Sequence, residues 1–430
     1  MQRNAAIAAL GAELEDALDG LTEAMQLEMT QRIPELRGEH ALAALLHESI
    51  HSNLSALARV FSYDIEPERV ATPLGASEYA RRLAQQGVSM TALVRAYRLG
   101  HRDLLGWALA KWTSTSASSG EQQVPLATVA ELIRTSSTYI DSISEQVIAE
   151  YTAEREQWLA HRDRARSDVL TQLMTEDPMD LSRAEQVLGY RLRQRHLGLT
   201  LWSGQQAVGP PDVGTFQSVV SRLAEILDTR KPLIWAQDSG SAWAWLPLGP
   251  GDASQAATAS PAAISDALQQ SLREHNRHHS PIRATLGTPS DGVDGFRATL
   301  REARSAQAVA TVPDAPAEPV TSYSQPGVRA ASLLVSDLRQ ARRFVEATLG
   351  ELAAPTARCA RLRTTMLTLI EDRGSLTAAA ERLHVHKNTV KYRLHQAAEL
   401  RGRPIDEDRW DLELALHCCA HLGPTVLRDA

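Results

Sequence analysis

His47, Glu48 and His51 have the types and spacing of a zinc-hydrolase motif, in which two histidines hold the metal and the glutamate acts as a general base. In a helix the two histidines would lie on the same face, one turn apart. A catalytic zinc site needs a third protein ligand, and no extended motif that would supply one follows in the sequence. A pattern with only three fixed positions also arises by chance. We therefore predict that the chain holds no metal ion and no other cofactor.

A second group of residues, near the C-terminus, suits contact with nucleic acid. Ser375 is placed to cap a short helix, whose small central side chains would let another helix approach closely. His384 and Val385 then make a tight turn, with Val385 pointing inward, and a second helix is predicted to begin near Lys387. Apolar residues at helical spacing give each helix an inner face: Leu376, Ala379, Ala380 and Leu383 in the first, and Val390, Leu394 and Ala397 or Ala398 in the second.

The opposite face of the second helix is polar, as a helix that enters the major groove requires. Lys387 and Asn388, in its first turn, are the candidates for contacts with base edges. His386 lies at the helix entry and could donate to a base or to a phosphate. The predicted DNA-binding residues are His386, Lys387, Asn388, Thr389, Lys391, Tyr392 and Arg393.

The later residues of this set, Thr389, Tyr392 and Arg393, are better suited to backbone oxygens of DNA. Nine lysines and arginines stand against four acids between residues 361 and 403, a local excess of +5 in a chain of net charge -7. Because phosphate binding depends on clustered positive charge, DNA contact is predicted for this patch rather than for the whole surface. An ordinary three-helix bundle with a solvated basic face is the alternative that spacing alone leaves open.

The C-terminal motif resembles the PucR/CdaR family of bacterial transcription regulators. The residues that carry the resemblance are Ser375, Leu376, Ala379, Ala380, Leu383, Val385, His386, Lys387, Asn388, Thr389, Val390, Lys391, Tyr392, Arg393 and Leu394. The segment 406–416 is similar to the closing helix of the family, with its charged lead-in. The resemblance implies sequence-specific binding of double-stranded DNA by a homodimer or higher homo-oligomer, with no enzymatic activity.

The length of the chain, 430 residues, predicts several domains, since single cores stop growing at roughly 250 to 300 residues. The expected fold is multidomain and mainly α, with a central α+β domain. Helical periodicity extends over residues 1–178, apart from a polar loop at 113–125, and strands are predicted at 197–202, 232–237, 241–248 and 282–287. The predicted parts are a helical sensory domain (1–155), a connecting helix (139–178), an α+β domain (185–312), a linker (313–329) and a helical region (330–424) with the helix-turn-helix at 375–398.

The middle region resembles a degenerate relative of the diguanylate cyclase (GGDEF) domain, which the PucR/CdaR family commonly carries. Catalysis in that fold needs a hairpin with two glycines and two adjacent carboxylates that hold the metal. The equivalent hairpin here is 237–243, where Ser241 and Ala242 take the places of the acids. We therefore expect no cyclase activity. The sequence leaves open whether a ligand pocket or a dimerisation surface is retained.

The N-terminal region, approximately residues 15–155, resembles the helical domain of RsbR-type stress-response co-antagonists. The resemblance rests on the segment 78–109, mainly on Gly87, Ala96, Tyr97, Arg98, Gly100 and Trp107. It implies a sensory role and a fold similar to a globin without haem. His101 would be the candidate haem ligand, but a lone helical histidine is more often structural, and we predict no haem.

A long helical pattern runs from Tyr139 to Met174 with a sparse apolar stripe close to a heptad seam. The stripe consists of Ile140, Ile143, Val147, Tyr151, Trp158, Val169 and Leu173. Two interpretations are open: a parallel dimer stalk that transmits a signal, or a surface helix that packs on its own domain. The charged middle of the pattern favours the stalk.

Several classes of protein are disfavoured by composition. The first twenty residues lack the apolar core of a signal peptide, and no apolar run is long enough to span a membrane, so a cytoplasmic protein is expected. Three cysteines without metal-binding spacing fit a reducing compartment. The alternatives to a regulator are a stress-signalling scaffold that binds partner proteins, and a nucleotide- or zinc-dependent enzyme. The sequence does not determine whether a small-molecule effector binds.

Overall fold

The computed structural model describes residues 5–38, 40–119, 124–175, 177–203, 213–248, 260–277 and 281–428. The chain forms two compact units, Met1–Ser167 and Asp168–Ala430. None of the helices in the described ranges has the length and apolar character that crossing a membrane requires.

The first unit is helical. Its helices are α1 (Ala5–Asp16), α2 (Leu18–Arg32), α3 (His40–Tyr63), α4 (Leu74–Gln86), α5 (Met90–Ser119) and most of α6 (Leu126–Thr175). Apolar residues of α3 at helical spacing, including Leu46, Leu54 and Leu57, are buried in the shared core. A side chain at Gly75 would lie 2.7 Å from the carbonyl oxygen of Glu48, so the glycine permits α4 to pack closely on α3.

The predicted loop at 113–125 is wrong over its first half, because α5 continues to Ser119. The polar side chains there satisfy backbone acceptors within the helix: the hydroxyls of Thr113 and Ser114 each donate at 2.8 Å, to the carbonyls of Ala110 and Lys111. Serine-rich composition indicated a loop, but such side chains also bond to the preceding helical turn. Residues 120–123 of the predicted loop lie outside the described ranges.

Helix α6 is continuous over most of the predicted connecting helix, and its apolar stripe has two different environments. Ile143, Val147 and Tyr151 are buried in the core of the first unit, and Arg155 donates to the carbonyl oxygen of Ala84 at 2.9 Å. This packing favours the surface-helix interpretation for that half of the stripe. Residues 156–165 are exposed apart from one half-buried leucine, and Trp158 retains 45% of its accessible surface. Only this stretch remains for the stalk interpretation.

The second unit contains a mixed sheet after helix α7 (Leu181–Leu188). Its strands are β1 (Arg195–Ser203), β2 (Leu233–Asp238), β3 (Ser241–Pro247), β4 (Ile282–Leu286), β5 (Ser290–Asp291) and β6 (Val320–Ser322). The order is β2-β3-β1-β4-β6, with β5 paired to β1, and all pairs are antiparallel except β4 with β6. The four strands predicted from the sequence are confirmed, as is the central α+β domain.

Three further helices cover this sheet: α8 (Val213–Ile226), α9 (Pro261–Asn276) and α10 (Gly292–Ala310). Leu199 and Leu201 of β1 face α8 and α9. Because successive residues of a strand point to opposite sides of the sheet, Gly198 faces α10 instead. A side chain at Gly198 would lie 2.7 Å from the backbone nitrogen of Leu300. The glycine therefore allows α10 to lie directly on the sheet.

The predicted linker at 313–329 instead supplies strand β6. The backbone N–H of Ala284 donates to the carbonyl oxygen of Pro319 at 2.9 Å, and Val320 is buried beside it. Parallel pairing with β4 is a long-range contact, which the proline-rich composition of the segment could not indicate.

The C-terminal region is a bundle of α11 (Val328–Leu334), α12 (Leu338–Leu349), α13 (Ala357–Glu371), α14 (Leu376–Arg382), α15 (Lys387–Arg401) and α16 (Arg409–Leu422). Its core includes Val309 from α10 and Val312, which follows that helix. The hydroxyl of Thr425 donates to the carbonyl oxygen of Pro313 at 2.6 Å. The bundle and the sheet domain are therefore packed together within the second unit.

Candidate nucleic-acid interface

Helices α14 and α15 form a helix-turn-helix at the predicted positions. The Ser375 hydroxyl accepts a hydrogen bond from the backbone N–H of Ala378 at 3.3 Å, which makes Ser375 the N-cap of α14. Ala379 and Ala380 are buried where α14 meets its neighbours, so their small size sets the close packing.

The turn between the two helices combines a left-handed residue with an inward apolar one. His384 has a φ of 50°, and the N–H of Val385 donates to the carbonyl oxygen of Ala380 at 3.0 Å. Val385 is half-buried against the core of the bundle, as predicted. The turn thereby fixes the direction in which α15 leaves.

His386 is the N-cap of α15, a role that the sequence analysis did not assign to it. Its Nδ1 accepts a hydrogen bond from the backbone N–H of Asn388 at 3.2 Å. An imidazole nitrogen that accepts cannot carry a proton, so the neutral ring has its N–H at Nε2. The first turn of α15 is thus held in place, and Nε2–H of an exposed side chain is left to donate elsewhere.

The inner face of α15 anchors it to the bundle. Val390 and Ala397 have no exposed surface, and Leu394 retains 9%. At the other end of the helix, the buried guanidinium of Arg401 donates to three carbonyls, those of Thr348 (3.1 Å), Pro404 (2.5 Å) and Glu407 (2.9 Å). Burial lowers the pKa of Arg401, with Arg403 lowering it further. Both ends of the helix are therefore fixed.

The outer face of α15 presents polar groups to solvent. Lys387, Asn388 and Lys391 are exposed, and Tyr392 retains 62% of its surface, whereas Thr389 and Arg393 are half-buried at the edge of the helix. Asn388 and Tyr392 are four residues apart and so lie on the same face. The Tyr392 hydroxyl accepts a hydrogen bond from the side-chain amide of Gln396 at 2.8 Å, which orients the ring.

The positive charge of this region is smaller than the simple count indicated. Arg382 is paired with Glu371 and, at 2.8 Å, with Asp372. The hydrogen bond to Glu371 contributes most to the raised pKa of Arg382, burial opposes the shift, and the charges of both acids add to it. Arg403 pairs with Asp408 at 2.9 Å. Arg363, like Arg401, is buried and donates to backbone carbonyls. Such groups hold the bundle together and contribute little free charge.

Five of the nine basic side chains have neither an ion pair nor a hydrogen bond with a described residue: Arg361, Arg373, Lys387, Lys391 and Arg393. Arg373, exposed in the turn before α14 with a φ of 53°, is a further candidate that the sequence analysis missed. A left-handed residue just before a helix cap gave no signal in the sequence. Four of these five lie just before α14 or in the first two turns of α15.

Residues of the other candidate motifs have structural partners. His47 Nδ1 lies 3.1 Å from the amide oxygen of Gln26, and His51 Nε2 lies 3.7 Å from a carboxylate oxygen of Asp19. Within the described ranges, no group of three or more histidines, cysteines or acids is arranged to hold a metal ion. His101 Nε2 lies 3.0 Å from the hydroxyl of Ser136.

The hairpin of the middle domain is present as predicted, with β2 paired to β3 across Ser239 and Gly240. Ala242 is wholly buried in the core of the sheet domain, while Ser241 is only half-buried. A carboxylate at position 242 would be shielded from solvent, with no charge among the described residues to stabilise it. The hairpin retains the fold of a cyclase-like domain without its acids.

Together these features define a three-part protein with a helical unit, a small-sheet domain and a helix-turn-helix bundle. Three family profiles match it: the RsbT co-antagonist protein rsbRD N-terminal domain at residues 19–166, a GGDEF-like domain at 173–309 and the PucR C-terminal helix-turn-helix domain at 362–418. The chain therefore carries the three domains that the sequence predicted, in the predicted order. The match to a helix-turn-helix of this type supports a transcription regulator.

A solved structure, the regulator of polyketide synthase expression from Bifidobacterium adolescentis, is similar at 18% identity. The match covers 59% of this chain and 90% of that chain, with a TM-score of 0.28. No curated protein matches the chain.

Proposed function

We propose that the chain is a sequence-specific DNA-binding transcription regulator that acts in the cytoplasm as a homodimer or higher homo-oligomer. One observation carries the proposal: α15 is anchored by its apolar face and both ends, while Lys387 and Lys391 on its opposite face have no ion pair with a described residue. A helix whose polar face is merely solvated needs no such rigid mounting. A helix that inserts into the major groove does, because base contacts depend on orientation.

The positions of the side chains support distinct roles. Lys387 and Asn388, in the first turn, are proposed to contact base edges, since lysine can donate to guanine and asparagine can bond bidentately to adenine. Tyr392 shares the face of Asn388, so we place it toward the groove as well, rather than only at the backbone. Lys391, at the side of this face, is proposed to bind phosphate.

The half-buried residues at the edge of α15, Thr389 and Arg393, suit phosphate oxygens beside the groove, and Arg373 suits a phosphate near the entry of α14. His386 can add one donor through Nε2–H. These contacts set the position of the helix and supply affinity without sequence preference.

Association of two chains follows from the energetics of base recognition. Each well-read base pair contributes roughly 1 to 3 kcal/mol of discrimination, and one short helix contacts few of them. Two copies on a repeated site approximately double that discrimination. The N-terminal domains are proposed to control DNA binding through an effector or a partner protein.

The test begins with selection of binding sites from random duplex DNA by the full chain. Asn388→Ala is expected to reduce affinity for the selected site by about tenfold or more while leaving random DNA unaffected, since a bidentate contact carries 1 to 3 kcal/mol of discrimination. Lys391→Ala should weaken binding to both DNAs alike. It should also reduce the slope of log affinity against log salt concentration by about one, the value of one released counterion. Both are measured by fluorescence anisotropy across a salt series.

Lys231→Ala, an exposed lysine just before β2 in the same unit, is the matched control and should leave both affinities unchanged. Equal losses on selected and random DNA for Asn388→Ala would contradict its role in base recognition. Failure of the full chain to enrich any sequence would instead favour a scaffold that works by binding partner proteins.

The proposal includes no enzymatic activity. Ser241 and the buried Ala242 replace the carboxylates that a cyclase needs. His47 and His51 are directed to α2, toward Gln26 and Asp19 respectively. Neither arrangement supports metal-dependent catalysis.

A further inference from the structure

The core of the first unit contains a cavity of about 70 Å³ between α2, α3, α4, α5 and α6. A water molecule needs roughly 10 to 15 Å³ measured in this way, so the space corresponds to several water-sized groups. Apolar side chains dominate the wall, among them Met25, Met29, Leu46, Leu54, Leu93 and Leu104. A cavity of this kind is a ready site for a small organic molecule.

Two tyrosine hydroxyls in the wall, those of Tyr79 and Tyr97, make no hydrogen bond with a described residue. Burial raises the pKa of Tyr97, but the nearby side chain of Asn53 opposes this, so Tyr79 is the one left to donate to a ligand. Tyr79 is 2% exposed, and its hydroxyl makes no hydrogen bond with any described residue. Burial raises the pKa of Tyr79 well above its usual value, so the hydroxyl keeps its proton and can donate. A buried hydroxyl without a partner carries a substantial desolvation cost, which a ligand oxygen would remove.

Two other polar groups of the wall, those of Tyr139 and His101, already have partners. Tyr139 donates to the carbonyl oxygen of Asn53 at 3.1 Å, and His101 Nε2 lies 3.0 Å from the hydroxyl of Ser136. Desolvation lowers the pKa of His101, although the carboxylate of Asp141 opposes this shift, so the ring is neutral near pH 7. None of the described residues that line the cavity is an aspartate, glutamate, lysine or arginine.

A charged ligand would therefore lose its hydration without gaining an opposite charge, whereas a neutral one would not. We propose that this cavity binds a small, neutral, mainly apolar molecule that carries a hydroxyl or carbonyl oxygen, which accepts a hydrogen bond from Tyr79. The inference names the chemistry of the effector in the proposed function and rests on that function for its regulatory meaning. Binding itself is independent of DNA.

Phenol is the probe for this site, with toluene as its analogue without the oxygen and benzoate as its charged analogue. Titration calorimetry and thermal unfolding of the full chain at pH 7 should show saturable one-to-one binding of phenol and toluene, and none of benzoate. Tyr79→Phe should weaken phenol binding by about tenfold, the value of one hydrogen bond, and change toluene binding by less than about twofold. Tyr63→Phe, an exposed tyrosine of the same unit, should change neither.

A second pair of variants does not depend on the hydroxyl. A side chain at Gly100 of α5 would meet only the mobile end of Met29, at 3.0 Å, so Gly100→Ala should fold and retain binding, whereas Gly100→Leu should fill the cavity and abolish binding of both neutral probes. The inference is overturned if neither neutral probe binds, if benzoate binds as tightly as phenol, or if Tyr79→Phe weakens both neutral probes equally.

Failure of the inference and failure of the proposed function are distinguishable. A chain that selects a DNA sequence but binds no neutral probe refutes only the cavity. A chain that binds phenol through Tyr79 but selects no DNA refutes only the regulator. A change in DNA affinity on saturation with phenol would connect the two.

Discussion

Replacing the cap of α15 gives a sharp test of how the helix is positioned. In His386→Ala the backbone N–H of Asn388 loses the Nδ1 acceptor that now lies 3.2 Å away. Removal of an N-cap side chain typically costs about 1 kcal/mol. Because Val390, Leu394 and Arg401 still anchor the rest of the helix, the loss should be confined to its first turn.

The same first turn holds the proposed base contacts, so fraying there should weaken specific DNA binding by about fivefold, which corresponds to about 1 kcal/mol. Hydrogen exchange of residues 387–389 should accelerate by the same factor, since local opening exposes these amides. Affinity is measured by anisotropy on the selected site, and exchange by mass spectrometry on the free protein.

His386→Asn is the matched variant, because asparagine is a good N-cap but lacks the imidazole. It should restore slow exchange in the first turn. If it also restores DNA affinity, capping accounts for the whole effect; if affinity stays low, Nε2–H contacts DNA. Exchange that is as fast in His386→Asn as in His386→Ala, or unchanged in His386→Ala, would refute the capping argument.

Two other predictions concern the sheet domain. Restoring one cyclase-like acid by Ala242→Asp should destabilise the domain by about 3 kcal/mol or more, because the new carboxylate is buried without a charged partner. The loss is measured by urea unfolding, followed through the fluorescence of the tryptophans in the sheet. The control is Ser239→Asp in the exposed turn, which should cost less than about 0.5 kcal/mol. An equal loss in both variants would show that burial is not the cause. Burial lowers the pKa of His196 below its usual value of 6.5, while its bond to Leu192 opposes this, so the unfolded chain binds the proton more readily. Stability should therefore be full above about pH 6.5 and decline as the pH falls below it, and His196→Asn should show a smaller decline in the unfolding temperature between about pH 7.5 and pH 5.5; an unaltered decline would assign the effect to other groups.

Local patterns were sufficient for the helix-turn-helix. The cap at Ser375, the buried Ala379 and the apolar stripe of Val390 and Leu394 each depend on neighbours within a few residues, so spacing alone located both helices and their inner faces. The cap at His386 is equally local but was missed, because histidine is not among the residues that usually cap helices.

Long-range pairing was beyond the reach of those patterns. Strand β6 exists because β4 lies beside it, and the proline-rich composition around it indicated a connection. The stripe of α6 indicated a seam, but only the folded first unit shows that Ile143, Val147 and Tyr151 face its own core. Periodicity identifies an apolar face without identifying what covers it.

The sequence by itself determined the order of the three domains, the helical and strand segments and the residues on the polar face of α15, since these follow from local spacing and composition. Only the tertiary structure decided which charges are free: Arg363 and Arg401 bind backbone carbonyls, and Arg382 and Arg403 bind acids brought close by the fold. It also placed the hydroxyl of Tyr79 without a partner in a cavity. A charge count or a helical pattern cannot supply these facts, because each depends on distances between groups on different helices and turns that only the fold sets.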